Sequence, residues 1–211
     1  MRRTLTKRRK AAVRSSARAN PAVSTRTQIL AGASQAFGAK GYAATTVEDI
    51  LDAADVARRT FYRSFRSKRD VFEQLFEAAT LMFIQATRTA AELGRTAEEK
   101  IANCIDVYLS SPRTAGPIFY VFQAEVMRPG SKLATRREAV IDQLVEMLGQ
   151  GFAEHHGREI DPLVLRGVIA ALENISTHVH TRTDARADDI DRARAAMLHI
   201  VAKTLGEPSQ S

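Results

Sequence analysis

The sequence is poor in the residues that stabilise secreted proteins and build metal sites. Its 211 residues include one cysteine, Cys104, and no tryptophan. A single cysteine excludes an intramolecular disulfide and a cysteine-rich zinc site, which favours a reducing compartment such as the cytoplasm. No apolar run approaches 18 residues, so we expect no membrane span. The N-terminus also lacks the apolar segment of a secretory signal.

Motifs that typically carry catalysis are missing as well. The sequence has no GxSxG elbow, no glycine-rich phosphate loop and no HExxH pair. Gly149 and Gly151 lack the third glycine and the preceding strand of a nucleotide fold. Histidines occur in pairs at 155/156 and at 178/180, a spacing that points the two rings of each pair to different sides of a helix. We therefore expect no enzyme activity, no cofactor and no metal site.

Positive charge is concentrated at one end of the chain. Residues 1–70 hold 16 basic and five acidic residues, a net charge of +11, whereas the remainder holds 15 basic and 19 acidic residues, a net charge of −4. A cationic end attracts nucleic acid or an anionic membrane surface, although such charge is also found on ordinary solvated surfaces. The absence of tryptophan and of an amphipathic anchor argues against the membrane surface.

The first 20 residues contain eight of these bases and no acid. Such a segment repels itself and buries little, so residues 1–23 are predicted to form a disordered basic arm. Three interpretations stay open: insertion into a DNA minor groove, attraction to phosphates without sequence preference, or a chain start placed too far upstream. The second is favoured.

Helical periodicity covers the rest of the chain, and no segment strongly indicates a strand. Thr25 and Gln28 have capping-box spacing, and Gly41 provides a stop for the first helix. A second box joins Thr45 to Glu48. The pattern predicts an all-α fold of about nine helices, over residues 25–41, 46–54, 57–64, 68–92, 96–110, 118–127, 132–154, 162–181 and 187–205.

Three short helices within residues 25–65, with a very tight link between the second and third, are typical of a helix-turn-helix. At this point the sequence resembles the DNA-binding domain of the tetracycline-repressor (TetR) family. The resemblance is carried by Arg26-Thr27-Gln28-Ile29-Leu30, Ala36-Phe37, Gly41-Tyr42-Ala43-Ala44-Thr45-Thr46-Val47-Glu48-Asp49-Ile50, Ala53-Ala54-Asp55-Val56, Thr60-Phe61-Tyr62, Phe65 and Ser67-Lys68.

A recognition helix exposes long polar side chains near its N-terminus, where base edges are reached. Arg58, Arg59 and Thr60 occupy that position and are the predicted base-reading residues. Phe61 and Phe65 are four residues apart and should pack inward.

The family places phosphate contacts at positions that match Thr46, Tyr62 and Lys68. Thr46 and Lys68 also begin helices, whose backbone N–H groups can hold phosphates.

Two residues depart from the family pattern. The family usually has glycine at the position of Asp55, where a left-handed backbone is needed, although Asp tolerates that conformation better than most residues. It often has serine at the position of Ala57. Loss of this helix cap costs about 1 kcal/mol unless the Asp55 side chain replaces it.

The resemblance implies a DNA-binding domain at residues 24–72, a helical effector and dimerisation domain at residues 73–206, and a short tail at 207–211. The last two helices are strongly apolar and must be buried within the subunit, against a second subunit, or both. The resemblance implies that they pair two subunits. A small, largely apolar ligand is expected in the second domain. Its candidate contacts combine aromatic, methionine and polar side chains: Tyr108, Phe119, Tyr120, Phe122, Met127, Asn174 and His178. In the alternative interpretation, which is favoured for any single residue, Phe119, Phe122 and Met127 are ordinary core residues.

These features together predict a ligand-responsive transcriptional regulator, by family default a repressor. Its dimer would bind a palindromic operator on double-stranded DNA, with recognition helices about 34–36 Å apart, and would leave it when the ligand changes that spacing. An architectural or nucleoid-associated DNA-binding protein without ligand control is the alternative. The basic arm slightly favours this alternative, which differs from a regulator in lacking sequence specificity.

Overall fold

The computed structural model describes residues 24–182 and 187–206, and these form nine helices without a strand. The predicted basic arm and C-terminal tail lie outside this part of the chain. The helices are α1 (Thr25–Ala44), α2 (Val47–Ala54), α3 (Arg58–Ser64), α4 (Lys68–Leu93), α5 (Ala97–Ala115), α6 (Ile118–Val126), α7 (Lys132–His156), α8 (Pro162–Thr181) and α9 (Ala187–Leu205).

Several predicted helix starts are confirmed by their caps. The side chains of Ser67, Thr96 and Asp161 each accept a hydrogen bond from a backbone N–H in the first turn of the helix that follows. Pro162 occupies the first position of α8, where its missing N–H costs nothing. Polar residues at these positions therefore determine where α4, α5 and α8 begin.

The first two predicted caps were wrong by one residue. Ser24, rather than Thr25, caps α1 by accepting from the N–H of Thr27 at 3.2 Å. The box before α2 joins Thr46 to Asp49, because Thr45 is buried and its hydroxyl donates into α1 instead. Both alternatives have the same sequence spacing, so only the packing distinguishes them.

Two other expectations about helices needed correction. α5 does not stop near Ser110 but continues through Pro112 to Ala115, because proline removes one hydrogen bond and its own carbonyl still accepts from Gly116 N–H at 3.0 Å. The apolar spacing of α4 also predicts a buried Met82, yet this side chain is 73% exposed. Gly41 interrupts α1 as predicted, with φ of +75°, but the helix does not stop there and continues to Ala44.

One hydrophobic core joins the N-terminal helices to the rest of the molecule. It includes Ile29, Phe37 and Phe61 from α1 and α3, together with Ile118 and Phe122 of α6. Two further clusters hold α5, α8 and α9 together and pack α7 against α8. None of the described helices combines the length and apolarity needed to cross a bilayer.

Candidate nucleic-acid interface

The link between α2 and α3 has the geometry of a tight helix-turn-helix. Asp55 adopts the left-handed conformation, with φ of 50° and ψ of 49°, as predicted for this position. Its N–H donates to the carbonyls of Asp52 and Leu51, which closes α2. Within the described residues, no side-chain hydrogen bond caps α3 at Ala57, so Asp55 does not substitute for the missing serine.

Two buried aromatic rings hold α3 in place. Phe61 is fully buried and Phe65 is 1% exposed, as their spacing predicted. Tyr62 lies between them in sequence but is 49% exposed, with its ring edge-on to Phe61 at a centroid distance of 5.2 Å. One side of the Tyr62 ring therefore packs against Phe61, and the other side is open to solvent.

The predicted base-reading side chains lie on the solvent side of α3. Arg58 and Arg59 are exposed, and Thr60 is half-buried. The guanidinium of Arg58 donates to the carboxylate of Glu48 in the first turn of α2, and both side chains are more than half exposed. An exposed pair of this kind contributes little to stability, so it leaves Arg58 available for exchange with another acceptor.

Thr46, at the start of α2, is exposed but not free. Its N–H and its hydroxyl both donate to the Asp49 carboxylate, each at 2.8 Å. Lys40 binds the same carboxylate at 2.6 Å, and its hydrogen bond is the main reason why the pKa of Asp49 falls to about 2. The expectation of a free N–H at Thr46 is corrected, and the N–H groups of Val47 and Glu48 are those in the first turn that have no acceptor within the helix.

Lys68, in the first turn of α4, is half-buried rather than extended into solvent. Its ammonium donates to the carbonyls of Tyr42 at 2.9 Å, Ala43 at 3.3 Å and Thr45 at 2.7 Å. It also lies 4.7 Å from the centroid of the Tyr42 ring. The side chain predicted to bind a phosphate is thus directed at the end of α1.

Sequence reasoning missed a second basic surface beside α3. The Arg26 guanidinium stacks over the Phe65 ring at 4.9 Å and donates to Gln74. Phe65 and Gln74 also line an open cavity of about 480 Å³. The exposed Arg63 and Arg66 are among its other lining residues. These contacts join residues up to 48 positions apart, which no local pattern indicates.

The predicted ligand residues lie in different surroundings. Phe122 belongs to the core shared with the N-terminal helices, with its ring 5.2 Å from those of Phe72 and Phe76. Met127 is 77% exposed, and Asn174 is exposed as well.

The two aromatic neighbours at the start of α6 lie edge-on to each other. Phe119 and Tyr120 have ring centroids 5.6 Å apart, and the Tyr120 hydroxyl donates to the carbonyl of His180 at 3.2 Å. This contact joins α6 to the end of α8.

Tyr108 marks a polar cluster inside the C-terminal helices. Burial, reinforced by the nearby carboxylate of Glu173, raises the pKa of the Tyr108 phenol. Arg137 of α7 donates to Glu173 of α8, yet burial still holds the pKa of Glu173 above its usual value. Ser176, 2% exposed, completes this group between α5, α7 and α8.

His178 lies on an open face of α8 and α9. The face holds a cavity of about 450 Å³, lined by Ile175, His178, Val179, Arg182, Asp189, Arg192, Ala193, Ala195 and Ala196. Elsewhere on α8, Leu163 is 74% exposed. In the part of the chain that the structure describes, no three His, Cys, Asp or Glu side chains converge as metal ligands. The side chains of His155 and His156 lie outside that part.

Comparison with known proteins identifies the N-terminal helices. Residues 29–75 match the family described as bacterial regulatory proteins, tetR family. The HTH-type transcriptional regulator TcmR of Streptomyces glaucescens is 49% identical over 47 residues, which is 22% of this chain and 21% of that protein. The match therefore spans about a fifth of the curated relative.

The whole fold is shared with solved structures of low sequence identity. FadR from Bacillus subtilis, solved in complex with stearoyl-CoA, is 21% identical with a TM-score of 0.71, over 83% of this chain and 97% of that one. A TetR-family transcriptional regulator from Streptomyces coelicolor is 18% identical with a TM-score of 0.69, over 95% of both chains. The N-terminal helix-turn-helix is therefore similar to the segment shared by bacterial regulatory proteins of the tetR family.

Proposed function

We propose that the protein is a sequence-specific DNA-binding transcriptional regulator that acts in the cytoplasm as a homodimer. The observation that carries this proposal is α3, a preformed helix whose base-reading side chains face solvent while Phe61 and Phe65 anchor it. A rigid, exposed helix after a tight turn is suited to the major groove. The net charge of +11 over residues 1–70 supplies the attraction to phosphates.

The proposed contacts divide into two kinds. Arg58, Arg59 and Thr60 read base edges, with the arginines suited to guanine and the threonine to a hydroxyl or methyl contact. Tyr62 and the start of α2 at Thr46 hold phosphates, which fix the register of the protein on DNA without specifying sequence. Binding of Arg58 to a base exchanges its Glu48 partner for the DNA acceptor.

The proposed dimer uses α8 and α9. Their open face combines exposed alanines with His178 and the pair Asp189 and Arg192, so a second copy can approach closely and still satisfy polar groups. Two-fold symmetry of the dimer implies a palindromic operator with half-sites one helical turn apart, about 34–36 Å.

The proposed effector is a small, largely apolar molecule bound among the C-terminal helices. Tyr108 and the neighbouring ion pair of Arg137 with Glu173 offer polar groups to orient it, within an otherwise apolar interior. The B. subtilis FadR structure with stearoyl-CoA supports this by analogy of fold alone. Release of DNA on ligand binding would make the protein a repressor, because the ligand then favours the state with lower operator affinity.

Nuclease footprinting of the intergenic DNA beside the gene tests the proposal. We expect one discrete, two-fold symmetric protected segment at nanomolar protein. Uniform protection without a discrete segment would favour the architectural alternative, which the N-terminal charge also fits. No protection at low salt would contradict DNA binding altogether, because electrostatic attraction is strongest there.

A further inference from the structure

We propose that Lys68 is a positioning residue, which fixes the start of α2 through the end of α1, and that it does not serve as a phosphate contact. This inference rests on the proposed DNA-binding function. In this role Lys68 orients the start of α2 from within the protein, whereas Thr46 and the amides that follow it contact the DNA.

The ammonium of Lys68 has three N–H donors and no acceptor. Three main-chain carbonyls surround it, those of Tyr42, Ala43 and Thr45, at distances of 2.9, 3.3 and 2.7 Å. The Tyr42 ring covers the same group at 4.7 Å. All the donors of Lys68 are thus directed at the protein, and a phosphate oxygen would have to displace a carbonyl to reach one.

The carbonyls at the end of a helix lack partners within it and carry partial negative charge. At the end of α1, the regular hydrogen bonding is also interrupted by the positive φ of Gly41. A cation from α4 satisfies these acceptors, although it lies 23 to 26 residues further along the chain. Lys68 therefore acts as a long-range cap on α1.

The contact with Thr45 reaches directly into the interface. A peptide unit is planar, and its C=O and N–H point in opposite directions. Lys68 holds the carbonyl of Thr45 at one edge of this plane, while Asp49 accepts the N–H of Thr46 at 2.8 Å at the opposite edge. This peptide is the entry to α2, so its orientation sets where Thr46 and the following amides point.

Salt dependence of operator binding separates the two roles. Loss of a phosphate contact makes the negative slope of log K against log salt less steep by about 0.9, and it weakens binding to all DNA alike. For Lys68→Gln we expect about tenfold weaker operator binding with an unchanged slope, because the displaced contacts at the start of α2 come from neutral groups, which release no counterions from DNA. Arg69→Gln is the control, because it removes the same charge from the adjacent, exposed position.

Lys68→Arg provides a second variant that keeps the charge. The planar guanidinium cannot converge on three carbonyls as an ammonium does. We expect it to lose operator affinity like Lys68→Gln. The proposal would be overturned if Lys68→Arg bound the operator with wild-type affinity. It would also be overturned if the salt slope of Lys68→Gln were less steep than that of the wild type by about 0.9.

Hydrogen exchange without DNA tests the geometry independently of the proposed function. In Lys68→Gln, the amides of Thr46 and Asp49 should exchange faster than in the wild type or in Arg69→Gln, while the amide of Phe65 is unaffected. Unchanged exchange at Thr46 and Asp49 would overturn the positioning role. If the wild type binds no operator, the proposed function fails. The exchange result still decides whether Lys68 orients the start of α2.

Discussion

Gly32 in the middle of α1 lies directly against Ala54 at the end of α2. A Cβ atom built on Gly32 would stand 2.6 Å from both the Cβ and the backbone N of Ala54. Such distances are well inside van der Waals contact, and backbone atoms cannot move aside as a flexible side chain can. The absence of a side chain at Gly32 therefore sets the distance between the first two helices of the DNA-binding unit.

Substitution of Gly32 by alanine should destabilise the protein, although the same change normally stabilises a helix. We expect a loss of about 1–3 kcal/mol, typical of overpacking, visible as a lower melting temperature. Gly151→Ala in α7 is the matched control, because nothing lies within 4 Å of its built Cβ. It should gain about 0.5–1 kcal/mol. Equal shifts in the two variants would contradict the close contact.

Arg59→Ala should weaken operator binding and relax sequence preference at one position in each half-site. Arg59 is exposed on the first turn of α3, and a base contact of this kind contributes about 1–3 kcal/mol. Binding of single-base operator variants measures both effects. The control is Arg88→Ala, an exposed arginine on α4 outside the helix-turn-helix. Equal weakening on all sequences would instead assign Arg59 to the phosphate backbone.

Asp49→Asn should lower the melting temperature at neutral pH, and the difference from wild type should narrow in acid. The hydrogen bonds from Lys40 and Thr46 hold the pKa of Asp49 at about 2, below its ordinary value of 3.8. A lowered pKa means that the carboxylate stabilises the fold above pH 4, and that this contribution is lost as the pH falls from about 4 to 2. Asp52→Asn, at an exposed position on the same helix, is the control. A difference that stays constant down to pH 2 would show that the charge of Asp49 is unimportant.

Ala196→Glu should convert the proposed dimer to a monomer, as measured by sedimentation. Ala196 is exposed beside the cavity on α8 and α9, where a buried, unpaired carboxylate would be costly. Affinity for a two-half-site operator should then fall by about 10²-fold or more, because the half-sites no longer bind together. Ala86→Glu on α4 makes the same change at another exposed position and should remain dimeric. A dimeric Ala196→Glu protein would place the interface elsewhere.

The sequence predicted the helices well where caps and apolar spacing are local. It failed at the starts of α1 and α2 because two polar residues stand side by side, Ser24 with Thr25 and Thr45 with Thr46. The burial of Thr45 against α1 decides the second case, and burial is a property of the packed structure.

Long-range contacts limit how much of the candidate sites can be predicted from the sequence. The packing of Phe61 and Phe65 follows from their spacing within one helix, and the structure confirms it. The carbonyl contacts of Lys68 and the placement of Phe122 beside Phe72 join residues from separate helices. The family resemblance suggested a phosphate contact for Lys68, and residue type suggested a ligand contact for Phe122, but neither says which helices meet.

The core shared by α1, α3, α4 and α6 has a consequence for how a signal could cross the molecule. Phe72 and Phe122 contact each other, and a Cβ on Gly38 would lie 3.2 Å from Pro117, so the two parts meet through close-packed surfaces. Close-packed interiors resist gradual deformation and change between discrete arrangements. We therefore expect the helix-turn-helix to melt together with the helices behind it, in one cooperative transition. Its orientation on DNA should follow effector binding as a two-position switch, with no continuum of intermediate angles.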